Sequence, residues 1–140
     1  MAKERKTEQS IRAVSWEEYE LLLEKLSSKI SNDIPSNFQQ LIYGIPRGGL
    51  IVATCMTHIN EKTILWMEPP FTKIICATNC IYIVVDDIVD SGKTAEEYFN
   101  KPNIVVASLF CREGASFEPH YYAEKLDSDV WIKFPWERSI

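Results

Sequence analysis

Three aspartates fall within five residues in Asp86-Asp87-Ile88-Val89-Asp90, directly behind the apolar run Ile81-Tyr82-Ile83-Val84-Val85. Carboxylates crowded at the end of a buried strand repel one another unless a cation, a donor-rich ligand or water offsets the charge. Ser91-Gly92-Lys93-Thr94 follows at once. It supplies small residues, hydroxyls and backbone N–H groups at the start of an expected helix, an arrangement that binds phosphate. Acidic groups suit sugar hydroxyls or a metal, and the N–H groups suit a phosphoester. One loop holding both points to a phosphorylated ribose. A lone Asp-Ser-Gly is more often a solvated turn; the whole run behind an apolar strand sets this segment apart.

Gly92-Lys93-Thr94 also matches the end of the P-loop pattern G-x-x-x-x-G-K-[ST]. The first glycine of that pattern would stand at position 87, where the chain has Asp87. A carboxylate there would face the phosphates, and no later strand ends in an aspartate suited to Walker-B work, so the P-loop is set aside. A second pointed segment is Gly44-Ile45-Pro46-Arg47-Gly48-Gly49. Its glycines let backbone N–H groups approach an anion closely, and Arg47 adds a planar, permanently charged donor fork. Taken alone, Arg-Gly-Gly is a tight strand-to-helix turn at least as often as a ligand loop.

The elements that must hold these loops follow from periodicity. Ser15 opens a helix, with Glu18 placed to complete a capping box and Trp16, Tyr19, Leu22, Leu23, Leu26 and Ile30 on one face. Residues 32–37 break it. Strands are expected at 41–43, 63–67, 74–77, 81–85, 104–110 and 130–132, and further helices at 50–59 and 94–100. Alternating strands and helices predict an α/β domain with a mainly parallel sheet flanked by helices. Ligands of such sheets sit beyond the carboxyl ends of the strands, where both loops fall. Residues 1–13 lack periodicity and read as a polar N-terminal tail, leaving 14–140 as the domain.

Composition narrows the classes. A chain of 140 residues fits one domain, and 46% apolar with 25% charged residues is ordinary globular usage. No apolar run approaches the ~18 residues that span a bilayer. The polar start MAKERKTEQS lacks a signal-peptide core, so a cytoplasmic protein without membrane contact is expected. Fifteen Lys and Arg against twenty Asp and Glu give a formal charge of −5, which argues against a nucleic-acid grip. Cys55, Cys76, Cys80 and Cys111 form no C-x-x-C pair; three of them sit in strand-like apolar runs and read as small buried hydrophobes, so a zinc site or disulfide scaffold is not expected.

The run from Tyr82 to Thr94 resembles the phosphoribosyl pyrophosphate signature of the type I phosphoribosyltransferases. Two further segments are similar to the xanthine-guanine branch of that family. Gly44-Ile45-Pro46-Arg47-Gly48-Gly49-Leu50 resembles its pyrophosphate loop, and Trp131-Ile132-Lys133-Phe134-Pro135-Trp136-Glu137 resembles its base-binding tail. The resemblance runs over residues 14–138 in the expected order. It implies a small C-terminal hood over the base, and a homo-oligomer, dimeric or tetrameric. The reaction it implies is transfer of the 5-phosphoribosyl group from phosphoribosyl pyrophosphate to a 6-oxopurine, releasing pyrophosphate.

Roles carry over residue by residue. Asp86 and Asp87 would bind the ribose hydroxyls, with Mg²⁺ near Asp87. Asp90, Ser91, Gly92, Lys93 and Thr94 would line the 5′-phosphate side, Asp90 also assisting proton transfer from the purine. Arg47, Gly48 and Gly49 would hold pyrophosphate, with a strained or cis peptide between Pro46 and Arg47. Trp131 would stack on the base, the backbone at Ile132 would read its edge, and Glu137 would stand near the 2-substituent, while Trp136 packs in the core. Arg112 falls where the family has a lysine that bonds the purine 6-oxygen. A second departure is the short interval from Glu68 to Cys80, where relatives carry a long closing loop. Two other functions stay open from the sequence: a non-catalytic sensor of the same ligands, or transfer to another nitrogen base such as a pyrimidine.

Overall fold

In this computed structural model, which describes residues 10–69, 79–98 and 101–138, an all-parallel sheet carries the molecule. Its strands are β2 (Gln39–Gly44), β3 (Thr63–Leu65), β4 (Cys80–Val89), β5 (Ile104–Arg112) and β6 (Tyr121–Leu126), in the order β3-β2-β4-β5-β6. A second, two-stranded parallel sheet joins β1 (Ser10–Ala13) to β7 (Val130–Lys133). Helices α1 (Trp16–Asp33), α2 (Gly48–Ile59) and the short α3 (Lys93–Glu96) complete the described elements.

Local chemistry explains the best-defined elements. Ser15 caps α1 by accepting the Glu18 N–H at 3.1 Å, and Tyr19, Leu22, Leu23, Leu26 and Ile30 bury the stripe that their spacing predicts. Alternation along the central strands makes two cores. Ile42, Ile83, Val85, Ala107 and Leu109 face α1, α2 and the hood, while Leu41, Tyr43, Tyr82, Val84 and Val106 face the side of α3. Burial on both faces is what a run such as Ile81-Tyr82-Ile83-Val84-Val85 requires.

Several boundaries differ from expectation. Sequence alone ends the strand before the aspartates at Val85, but β4 continues through Asp86 and Asp87 to Val89, paired with β5 as Asp86↔Ser108 and Ile88↔Phe110. The alternation breaks there on both strands: Val85 and Ile88 share one core, as do Leu109 and Phe110. Side chains take up the disturbed backbone bonds. Asp86 Oδ1 accepts the Asp87 N–H at 2.9 Å, Asp87 Oδ1 accepts the Ile88 N–H at 2.8 Å, and the buried Ser108 hydroxyl donates to the Phe110 carbonyl at 2.8 Å.

Ser10–Ala13, which composition assigns to the polar tail, form β1 because β7 offers a strand to pair with. Arg12 then reaches Glu124 on β6 and Glu18 on α1, with its guanidinium 5.4 Å from the Phe110 ring centroid. The hood is therefore built from both ends of the described chain. Strand β6 was not expected: Ala123, Glu124, Lys125 and Leu126 are helix formers, and an edge position overrides their propensity. The expected strand at 74–77, Cys76 and the end of the helix expected over 94–100 lie outside the described residues. Cys55 and Cys111 are free thiols, whereas Cys80 is disulfide-bonded rather than the buried thiol expected.

Candidate active site

The two loops meet where β2 stops and β4 continues. The last β2–β4 pair is Gly44↔Val85, after which the Ile45 N–H still donates to the Val85 carbonyl at 2.9 Å. Beyond it the chain turns through a cis peptide bond between Pro46 and Arg47, as the resemblance implies, and enters α2. Close approach explains the glycines. A Cβ on Gly49 would lie 2.3 Å from the Val85 carbonyl oxygen, and one on Gly48 would lie 2.1 Å from Asp87 Oδ2. The turn is thus folded directly onto the acidic end of β4. Arg47 is exposed at the N-cap of α2 and makes no side-chain cap there, so it leaves the first-turn N–H groups uncapped by itself.

Asp86, Asp87 and Asp90 are all half-buried, whereas Ser91, Lys93 and Thr94 are exposed. Gly92 takes φ of +93° and is buried; a Cβ on it would fall 2.4 Å from the Ser116 hydroxyl and 3.2 Å from the Phe117 ring. The Ser116 N–H donates to the Ser91 carbonyl at 2.9 Å, which ties the loop to the turn after β5. Ser91 Oγ accepts the Lys93 N–H at 3.3 Å. Nothing in the sequence marked Ser116 or Phe117, because only the tertiary fold brings that turn under Gly92.

The residues that the resemblance assigns to the base, and their neighbour Trp136, separate into two groups. Trp136 stacks on Phe134 at 4.8 Å and lies edge-on to Tyr19 at 5.2 Å, the core role expected of it. Glu137 is exposed, and its Oε1 accepts the Phe134 N–H at 3.0 Å, closing the final turn. Trp131 is half-buried, with an indole N–H that is buried and meets no acceptor among the described residues. Ile132 is buried and its side chain is core. Lys133 turns its carbonyl to β1, where it accepts the Val14 N–H at 2.9 Å. By strand alternation Val130 and Ile132 turn their backbone groups to the other, open edge of the hood.

Arg112 stands at that open edge. Its Nε donates to Asp90 Oδ1 at 2.6 Å, and its Nη1 donates to the carbonyls of Val130 at 2.6 Å, Asp127 at 3.0 Å and Ser128 at 3.4 Å. The side chain is only 11% exposed, so Arg112 is not a solvated surface charge. Neighbouring Cys111 is fully buried, and burial pushes its thiol up from the ordinary range, away from the thiolate form. No group of three or more metal-ligating side chains exists among the described residues. A metal here would be held by few carboxylates, with most ligands drawn from substrate and water, which is magnesium's habit.

No protein-family model matches the chain. Solved structures do: a purine phosphoribosyltransferase from Pyrococcus horikoshii superposes with a TM-score of 0.72 at 26% identity, covering 94% of this chain and 96% of that one. This chain has the type I phosphoribosyltransferase fold. A second phosphoribosyltransferase of that fold, the xanthine-guanine-hypoxanthine enzyme of Helicobacter pylori, superposes with a TM-score of 0.70 at 21% identity over 91% of this chain and 93% of that one. In sequence, the xanthine-guanine phosphoribosyltransferase of Cereibacter sphaeroides is 26% identical over 145 residues, spanning 91% of this chain and 87% of that one. The phosphoribosyltransferase resemblance therefore extends along nearly the whole chain.

Proposed function

We propose that this chain is a purine phosphoribosyltransferase, a pentosyl-group transferase that joins a 6-oxopurine (guanine, xanthine or hypoxanthine) to phosphoribosyl pyrophosphate and releases pyrophosphate. The observation that carries the reading is the contact of the two loops, with Gly48 pressed on the Asp87 carboxylate at the switch between β2 and β4. It brings a carboxylate suited to sugar hydroxyls beside N–H groups suited to diphosphate. The purine phosphoribosyltransferase names among the relatives and solved structures support the same reaction.

In this reading Asp86 and Asp87 hold the ribose hydroxyls, and Ser91, Gly92, Lys93 and Thr94 hold the 5′-phosphate. Arg47, Gly48 and Gly49 hold the pyrophosphate, whose growing charge meets the guanidinium and the helix start. Asp87 would help to hold Mg²⁺, which would supply charge neutralisation for the diphosphate. The purine lies against Trp131, its edge bonded by the backbone groups of Ile132 that face away from β1, with Glu137 beyond. Bond changes are few. The C1–oxygen bond to pyrophosphate breaks, the C1–nitrogen bond to the imidazole ring forms, and Asp90 takes up the proton that the ring nitrogen loses.

A panel assay tests this. The chain is incubated with phosphoribosyl pyrophosphate, Mg²⁺ and guanine, xanthine, hypoxanthine, adenine or uracil, and nucleotide and pyrophosphate are measured. The expected result is nucleotide from at least one 6-oxopurine, in step with pyrophosphate. Ligand binding without product from any base would establish the sensor reading, which the short interval between Glu68 and Cys80 favours. Product from uracil alone would establish the other acceptor.

A further inference from the structure

Arg112 occupies the position of an expected purine donor, but two of its guanidinium nitrogens, Nε and Nη1, are already committed, in two directions. Nε meets Asp90 at 2.6 Å, and Nη1 gathers the carbonyls of residues 127, 128 and 130. Asp90 lies just past β4 and Arg112 ends β5, one register step beyond the pair Val89↔Cys111. The carbonyl at Val130 belongs to the open edge of β7, the same edge that carries the backbone groups of Ile132. One rigid side chain thus spans the acidic loop and the base-bearing strand. A lysine, with a single nitrogen on a flexible stem, makes either contact but lacks the fork that makes both.

We propose that Arg112 is a positioning residue, not a purine donor: it fixes the Asp90 carboxylate and the hood edge at β7 relative to one another. The proposal rests on the reading of Asp90 as the proton acceptor and of β7 as the base platform. Two consequences follow. Loss of Arg112 lowers turnover through Asp90, so the loss has nothing left to act on once Asp90 is neutral. It also loosens the hood edge, so base binding weakens whether Asp90 is present or not. Arg112 then bears on base selection through the hood edge that it holds, not through donation from Nε or Nη1.

A double-mutant cycle tests this by steady-state kinetics with the best 6-oxopurine of the wild type. The enzymes are wild type, Arg112→Met, Arg112→Lys, Asp90→Asn and Arg112→Met/Asp90→Asn, each checked for its fold by circular dichroism. Arg112→Met is expected to lower kcat about 10-fold or more, and to change kcat by less than twofold in the Asp90→Asn background. Arg112→Lys is expected to recover kcat to within about fivefold, because an ammonium still reaches Asp90, without recovering the KM for base. If Arg112→Met fails to fold, the Arg112→Lys split between kcat and KM decides. Equal kcat losses in both backgrounds, or a KM for base at or below wild type in Arg112→Lys, would overturn the role while leaving the transferase intact. A wild type inactive on every base would overturn the proposed function and this role with it.

Discussion

Gly48 and Asp87, on different elements and 39 positions apart, touch so closely that a methyl group on Gly48 would come within 2.1 Å of Asp87 Oδ2. That contact is what brings the two loops together. The Gly48→Ala variant is therefore expected to push the turn off the aspartate and to spoil binding of phosphoribosyl pyrophosphate. A displacement near 1 Å at such a site costs about 10²-fold. The check is the KM for phosphoribosyl pyrophosphate beside the KM for base. A rise confined to the base would place the ligand elsewhere.

Much of this arrangement was legible before any coordinates. The capping box at Ser15 and Glu18, the apolar run 81–85 and the two glycine-bearing loops are local patterns, and local patterns survive in one dimension. What escaped has partners far along the chain. Strand β1 contains one large apolar residue, Ile11, and exists because β7 lies beside it. The extension of β4 through Asp86 and Asp87 violates the usual depletion of aspartate in strands, and holds because the carboxylates themselves accept the backbone N–H groups. The bond between Arg112 and Asp90 joins adjacent strand ends, which is visible only once the strand order is known.

The two tryptophans of the tail should respond differently to truncation. Trp131→Ala is expected to weaken base binding by roughly 1–3 kcal/mol with little change in melting temperature. Trp136→Ala removes the partner of Phe134 and Tyr19, and is expected to cost about 3 kcal/mol of folding stability. Base titration and denaturant unfolding of both variants provide the comparison. A stability loss from Trp131→Ala with unchanged base affinity would return Trp131 to the core.

Removal of residues 1–13 tests whether the hood depends on β1. Without that strand, β7 loses its partner and Arg12 its bonds to Glu124 and Glu18. The KM for base is expected to rise roughly tenfold, equivalent to about 1.4 kcal/mol, while the affinity for phosphoribosyl pyrophosphate stays near that of the full chain. Unchanged base kinetics would make β1 an ornament of the fold.

His120 gives a pH dependence of stability that is separate from catalysis. The residue lies at the surface, but Nδ1 is turned inward, accepts the Val106 N–H at 2.9 Å and continues the ladder between β5 and β6. Only an unprotonated Nδ1 can accept, and burial lowers the folded-state pKa below the ordinary 6.5. The contribution is therefore fully present above about pH 6.5 and lost as pH falls through the folded value. His120→Ala should be less stable than wild type by about 1 kcal/mol at pH 7.5, with the gap narrowing toward pH 5. Urea unfolding at both pH values measures it, and a gap that widens in acid would contradict the bond.

Asp90 carries the central claim, that the acidic loop both binds the phosphoribosyl donor and moves the proton of the acceptor base. The most direct measurement sets equilibrium binding of phosphoribosyl pyrophosphate with Mg²⁺ beside turnover on a 6-oxopurine, for wild type and Asp90→Asn. Asp90→Asn is expected to keep affinity within about threefold while turnover falls by ~10²–10⁴. Equal loss of affinity and turnover would contradict the assigned role and make Asp90 a part of the binding frame alone.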